Sequence, residues 1–94
     1  MVMKFTVRAM GEMQQYLGGP RLEVRLPDGA RLSNLLLYLD RRLGRRFPEH
    51  LWDASARRFR GPVVIMIDKQ AITDPNTPLS DGQEVTIHKV LVGG

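Results

Sequence analysis

The spacing of the apolar residues changes twice along the chain, and this order constrains the fold most strongly. Residues 3–8, MKFTVR, and 21–26, RLEVRL, alternate apolar and polar side chains, which predicts two half-buried strands joined as a hairpin. The connection between them, about residues 9–20, is longer than common hairpin loops and carries turn residues. Residues 33–43 instead carry leucines at helical spacing, which predicts an amphipathic helix. We expect Ser33 to cap this helix and Gly44 to end it.

The second half of the chain returns to strand patterns. The run PVVIMID at residues 62–68 is continuously apolar and rich in β-branched residues, which predicts a strand at the centre of the sheet that is buried on both faces. A short strand is expected at residues 70–72, and residues 73–83 contain two prolines and Asp-Gly, which indicates a loop. Residues 84–90, EVTIHKV, alternate again and predict the last strand.

These elements together predict one α+β domain. A single amphipathic helix must cover one face of a sheet, and the order ββαβ, short β, β is that of a β-grasp, or ubiquitin-like, roll: a mixed sheet with one main helix packed across it. Ninety-four residues suit a single domain. We therefore expect residues 1–94 to form that domain, with residues 89–94 as an extended, flexible Gly-Gly tail that carries the function.

Residues 45–61 form a basic segment with scattered apolar residues. A short helical turn is expected around residues 48–56, followed by irregular chain. Seven arginines lie between Arg41 and Arg60, and we interpret them mainly as a solvated face. The alternative is contact with acidic partner surfaces or, as the family resemblance described below implies, with a pterin phosphate. Trp52 and Phe59 are interpreted as part of the core; the alternative is that they recruit a partner together with Leu91.

Side-chain chemistry is limited in this sequence. It contains no cysteine, which excludes disulfides, thiolate metal ligands and cysteine nucleophiles, and its two histidines, His50 and His88, are too few for a histidine-rich metal site. We expect His88 to face solvent from the last strand. No glycine-rich phosphate loop and no Ser/His/Asp set with suitable spacing is present. The start of the chain lacks the apolar segment of a signal peptide, and no apolar run is long enough to span a membrane, so a cytoplasmic location is expected.

The main chain offers chemistry that the side chains lack. The sequence ends KVLVGG, and glycine allows a backbone to enter a narrow channel because it has no Cβ. A terminal α-carboxylate can react once an enzyme activates it with ATP. Residues 90–94 would reach ~15–18 Å beyond the last strand at ~3.3 Å per residue. A Gly-Gly terminus after the last strand of a β-grasp pattern therefore predicts a reactive tail.

At these residues the chain resembles the MoaD/ThiS family of ubiquitin-like sulfur carriers, and above all the small subunit of molybdopterin synthase. The resemblance covers nearly the whole chain, and its best matches are residues 77–94 (TPLSDGQEVTIHKVLVGG), 32–39 (LSNLLLYL) and 63–68 (VVIMID). It implies that the C-terminal Gly94 is adenylated and then carries sulfur as a thiocarboxylate. It also implies that Gly93, Val92 and Leu91 give access to the partner's channel, and that the chain is a carrier subunit and not itself an enzyme.

The resemblance implies partners as well. A ubiquitin-activating-type adenylyltransferase would use ATP and magnesium, and the carrier itself would bind no cofactor and no metal. A cysteine desulfurase or a rhodanese would donate the sulfur. The acceptor would be the large subunit of molybdopterin synthase, in molybdenum cofactor biosynthesis, or another sulfur-accepting enzyme.

Two departures from the family pattern leave the pathway open. Leu91 and Val92 stand where many relatives carry proline or a small residue, and Asp68-Lys69 replaces the usual Asn-Gly. The alternatives are a protein modifier joined to lysine through Gly94, a carrier for cysteine biosynthesis, or a carrier for RNA thiolation. A third class, an RNA-binding module that uses the arginines, is disfavoured because no strand carries aromatic residues for base stacking.

Overall fold

The computed structural model describes residues 1–90. A five-stranded mixed sheet is crossed on one face by the longer of two helices, and a separate two-stranded hairpin follows that helix. The elements are β1 (Val2–Ala9), α1 (Met13–Leu17), β2 (Arg21–Pro27), α2 (Leu32–Leu43), a 3-10 turn (Gly44–Arg46), β3 (Trp52–Asp53), β4 (Arg58–Phe59), β5 (Val63–Ile67), β6 (Gln70–Ala71) and β7 (Glu84–Lys89). No helix among these is long and apolar enough to cross a membrane.

The strand order of the sheet is β2-β1-β7-β5-β6, crossed by α2, and the separate hairpin is β3–β4. The alternating segments form the sheet as the sequence predicts. β1 and β2 pair antiparallel, and Phe5 lies opposite Val24 on the buried face. β7 pairs parallel with β1, where Val7 is opposite Val85, and antiparallel with β5, where Ile65 is opposite Ile87. Every second side chain on these strands therefore points towards α2, and the other set faces away from it.

The structure corrects the expected position of β5. We predicted a central strand buried on both faces, but β7 occupies the centre and β5 lies between it and the short β6. Val63, Ile65 and Ile67 are buried, whereas Val64 and Met66 are only half-buried. A continuous apolar run leads to burial on both faces only where a second layer covers the sheet. Among residues 1–90, α2 covers only the face that carries Val63, Ile65 and Ile67.

Helix α2 ends as predicted, at Leu43 with Gly44 as its C-cap, but it begins differently. Its N-cap is Arg31 and not Ser33, and the amide of Arg31 donates a hydrogen bond to Oδ1 of Asn34 at 2.8 Å. Gly44 has φ −55° and ψ −33°, so it does not take the left-handed conformation that usually ends a helix. The chain continues from it into the 3-10 turn, which keeps its backbone hydrogen bonds satisfied.

A short helix, α1, lies within the connection that the sequence indicated as a loop. Met13 and Leu17 are both buried and lie one helical turn apart, so they attach this helix to the core. Gly18 ends it with φ +84°, a left-handed conformation that glycine adopts without steric cost.

The basic segment is also organised differently. The helical turn expected around residues 48–56 is limited to one turn at residues 48–52, where the Pro48 carbonyl accepts from the amides of Leu51 and Trp52. The rest of the segment forms the hairpin β3–β4, whose two strands have two residues each. Its aromatic rings explain the difference, because Trp52 packs against Phe47 and Phe59 with ring centroids 5.1 and 4.7 Å away. The indole Nε1–H of Trp52 donates to Oδ1 of Asp40 on α2 at 3.1 Å. These long-range contacts fix the hairpin against the helix.

Candidate functional site: the exit of the last strand

The last strand leaves the sheet between two neighbours. Because β7 runs parallel to β1, both strands have their C-terminal ends at the same end of the sheet. On its other side Lys89, the last residue of β7, lies opposite Val63 of β5. The amide of Val90 then donates to the carbonyl oxygen of Pro62 at 2.7 Å. Main-chain hydrogen bonds therefore fix the position of the chain as far as Val90.

The turn after β1 holds this exit from the other side. The amide of Met10 donates to the carbonyl of Ile87 at 3.0 Å, and Lys89 Nζ lies 2.9 Å from Glu12 Oε1. The ion pair is partly shielded, since the Lys89 side chain is 28% exposed. Met10 and Val90 are among the few large apolar residues on the surface, at 43% and 40% exposure. The exit thus combines a fixed backbone with an accessible apolar rim.

The four predicted site residues, Leu91, Val92, Gly93 and Gly94, lie outside the described residues. The flexible tail expected at residues 89–94 is corrected at its start, because Lys89 belongs to β7 and Val90 donates a hydrogen bond to Pro62; for residues 91–94 it stays a prediction. What the structure adds is the base of that tail, because Lys89 is paired within the sheet and Val90 is hydrogen bonded to it.

The face of the sheet that points away from α2 carries apolar groups next to the exit. Val64 of β5 lies opposite His88 of β7, and Met66 lies opposite Thr86; all four side chains are half-buried. His88 Nε2 lies 3.3 Å from the sulfur of Met66. His88 is therefore packed on a neighbour and is less exposed than we expected. We missed this surface because the apolar run of β5 indicated complete burial.

The aromatic candidates have a structural role. Trp52 is 3% exposed and Phe59 is half-buried against it, which confirms that they complete the core. Neither forms part of the exit. Leu91, the third candidate, lies outside the described residues.

The arginines of the basic segment differ in their partners. Arg57 lies 4.0 Å from a carboxylate oxygen of Asp40, and Arg60 lies 4.0 Å from one of Asp53. The Ser55 hydroxyl donates to Asp53 at 2.7 Å and, with the amide of Ala56, lowers the pKa of that carboxyl. Within residues 1–90 the structure shows no ion pair for the other five: Arg41, Arg42, Arg45, Arg46 and Arg58.

Potential ligands and catalytic groups are dispersed over the described part of the chain. No group of three or more histidine, aspartate or glutamate side chains is close enough there to hold a metal ion. Every buried side-chain nitrogen or oxygen atom in residues 1–90 has a hydrogen-bond partner. The exit of β7 is thus the best-defined candidate site, and its chemistry would be that of the main chain beyond it.

Comparison with known proteins finds solved structures with the same fold. No protein-family model matches the sequence, and no curated protein matches it. Solved structures do match. SAMP1 from Haloferax volcanii, also described as small archaeal modifier protein 1, superposes with a TM-score of 0.78 at 11% identity, over 97% of this chain and 99% of that one.

Two further structures concern molybdopterin-converting factor. A putative subunit 1 from Pyrococcus furiosus matches with a TM-score of 0.72 at 22% identity, over 95% of this chain and 99% of that one. A chain of the complex of subunits 1 and 2 from Helicobacter pylori matches with a TM-score of 0.63 at 22% identity, over 98% of this chain and 100% of that one. At these identities the likeness shows the fold, so the predicted β-grasp roll is confirmed.

Proposed function

We propose that this chain is a sulfur carrier that works through the carboxylate of Gly94. The single observation that carries the proposal is the exit of β7, which a parallel strand, an antiparallel strand and an ion pair hold at one edge of a β-grasp fold. A fold likeness to subunit 1 of molybdopterin-converting factor supports the same reading. The chain would thus be a carrier subunit, and the enzymes it meets would perform the catalysis.

The proposed reaction has three steps. An adenylyltransferase of the ubiquitin-activating type binds MgATP; the ionised Gly94 carboxylate attacks the α-phosphate, and pyrophosphate leaves. A persulfide from a cysteine desulfurase or rhodanese then attacks the acyl-adenylate, and AMP leaves. A thiol then attacks the donor's sulfur in this acyl disulfide and forms a new disulfide with it, which frees the thiocarboxylate. Since the chain has no cysteine, the sulfur must come from outside it.

The acceptor that we propose is the large subunit of molybdopterin synthase. The Helicobacter pylori neighbour is a complex of subunits 1 and 2 of molybdopterin-converting factor, which supports a large-subunit partner for this fold. A partner that takes the tail into a channel must also contact the surface around the exit. The half-buried groups beside it, Val64, Met66 and His88, together with exposed Val90, would then become covered.

Intact mass spectrometry tests the proposal directly. We would incubate the chain with an activating enzyme, MgATP and a sulfur donor, and expect the mass change of one oxygen replaced by sulfur, located at Gly94 by fragmentation. A reaction without ATP is the control. Deleting Gly94, or adding an alanine after it, should abolish the change without altering the melting temperature. Sulfur incorporation that survives both variants would refute the proposal.

The second candidate function is a protein modifier. The neighbour described as small archaeal modifier protein 1 favours it. In that case Gly94 would form an isopeptide bond with a lysine of a target protein. Lysine-linked adducts in cells, lost on deletion of Gly94, would support the modifier, whereas a thiocarboxylate without adducts would support the carrier.

A further inference from the structure

A groove separate from the exit lies between the end of β2, the turn after it and one face of α2. Its volume is about 450 Å³, which is within the range of ligand and peptide sites. The helix face is defined by spacing, because Leu37 lies one turn before Arg41 and Tyr38 one turn before Arg42. Leu26 and Pro27 provide the opposite wall.

Within residues 1–90, the wall formed by β2 is an unpaired edge of the sheet. The amide of Asp28 donates to the carbonyl of Met1, and the carbonyl of Pro20 accepts from the amide of Ala9. Because main-chain groups alternate in direction along a strand, the N–H and C=O groups of the even-numbered residues of β2 point towards β1. The main-chain N–H groups of Glu23 and Arg25 therefore point away from the sheet. Both residues are exposed, and no hydrogen bond from either amide appears within residues 1–90. Such an edge is a template for another strand.

Charge at the groove favours one kind of occupant. Arg41 and Arg42 are exposed at its rim, and neither has an ion pair within residues 1–90. The guanidinium of Arg42 lies 5.3 Å from the centre of the Tyr38 ring, which holds the cation beside the apolar floor. The one acid of the lining, Asp28, lies 3.9 Å from the amino terminus. The rim therefore presents positive charge to an incoming ligand.

We infer that an extended peptide segment of a partner protein adds to β2 as a further strand. Its alternate apolar side chains fill the groove over Leu37 and Tyr38, and acidic residues at one of its ends pair with Arg41 and Arg42. Main-chain hydrogen bonds to Glu23 and Arg25 supply affinity, and the pocket and charges supply specificity. The site does not use Gly94, so its test is independent of the proposed sulfur chemistry.

The test uses the full chain, labelled with ¹⁵N, and a synthetic peptide of alternating valine and threonine that ends in aspartates. NMR titration is expected to shift the signals of Leu26, Leu37 and Tyr38. Amide hydrogen exchange at Glu23 and Arg25 should slow when the peptide binds, while the amides of Val24 and Leu26, already bonded to β1, should change little. A peptide with proline at alternate positions should not bind, because it cannot donate the main-chain hydrogen bonds.

Matched variants test whether the two arginines at the groove rim bind the peptide themselves or act only through the net charge of the protein. Replacing Arg41 and Arg42 with glutamine should weaken binding about 2- to 30-fold, the range for two exposed ion pairs. Replacing Arg45 and Arg58 with glutamine removes the same charge away from the groove and should leave affinity unchanged. A peptide with lysines in place of the aspartates should bind more weakly than the acidic peptide.

Three results would overturn the inference. One is the absence of any shift at millimolar peptide, and a second is equal weakening in both arginine pairs. The third is a groove already filled by another occupant: residues 91–94 of the chain itself, seen as groove shifts when they are deleted, or a second copy, seen as a dimer in sedimentation. Deleting Gly94 alone should leave peptide binding intact even if it abolishes sulfur transfer.

Discussion

The hydrogen bond between Trp52 and Asp40 should account for a measurable part of the stability of this domain. It joins the hairpin β3–β4 to α2, with Nε1 and Oδ1 3.1 Å apart. Trp52→Phe keeps an aromatic ring beside Phe47 and Phe59 but removes the donor. A hydrogen bond to a charged group contributes about 1.5–3 kcal/mol. Since the Asp40 side chain is 27% exposed, we expect about 1–2 kcal/mol here.

The smaller ring also leaves a void, which adds about 1 kcal/mol. The free energy of unfolding should therefore fall by about 2–3 kcal/mol, out of the 5–14 kcal/mol usual for a domain of about this size. For a domain of this length the melting temperature should drop by roughly 10–20 °C. Circular dichroism during urea and thermal unfolding measures both quantities, because Trp52 is the sole tryptophan and its fluorescence is lost in the variant.

A double-mutant cycle isolates the bond from the void. Asp40→Ala removes the acceptor and also the 4.0 Å contact with Arg57, a surface pair that contributes about 0–1 kcal/mol. The double variant should be about 1–2 kcal/mol more stable than the sum of the single losses predicts. If the two losses add to within about 0.5 kcal/mol, the bond contributes nothing and the hairpin is held by ring packing alone.

The remaining predictions concern the exit, the loop after α1 and the acid response. Val64→Glu, beside the exit, should slow thiocarboxylate formation in the intact-mass assay with little change in melting temperature. The control Val2→Glu, at the start of β1, should not slow it. Equal slowing by both variants would show that the surface beside the exit does not contact the activating enzyme. Gly18→Ala forces a side chain into φ +84° and should cost about 1–2 kcal/mol in urea unfolding, while Gly61→Ala, with open space and no positive φ, should be near neutral. Asp53 has a lowered pKa, so it stabilises the fold above its ordinary pKa, and that contribution is lost as pH falls below about 4. Ser55→Ala should reduce the loss of melting temperature between about pH 5 and pH 2, because it removes the hydrogen bond that contributes most to the lowered pKa. An unchanged loss would contradict this role of Ser55.

The parts of the fold that local spacing determines could be predicted from the sequence. β1, β2 and β7 alternate, and α2 has a leucine stripe, so short-range pattern alone specifies which faces are buried. α1 escaped prediction because a helix of five residues has only two buried positions, Met13 and Leu17, and two residues define no period.

The hairpin β3–β4 could not be predicted for a different reason. Each of its strands has two residues, too few to show alternation. Its position depends on Trp52 reaching Asp40, which lies twelve residues earlier. Contacts of this range leave no local trace in a single sequence. The position of β5 was missed likewise, because strand order depends on pairing partners that hydrophobicity does not encode.

The candidate site shows the same division between local pattern and pairing. The Gly-Gly signal is purely sequential, yet its proposed use depends on where β7 leaves the sheet, and that follows from the parallel pairing of β1 with β7. The hydrogen bond from Val90 to Pro62 also shortens the chain that a partner can draw out. Beyond it, residues 91–94 span at most about 13 Å at ~3.3 Å per residue. An enzyme that adenylates Gly94 must therefore bring the α-phosphate of its bound ATP within about 13 Å of Val90. Such an approach requires close contact with the end of the sheet around Met10 and Pro62.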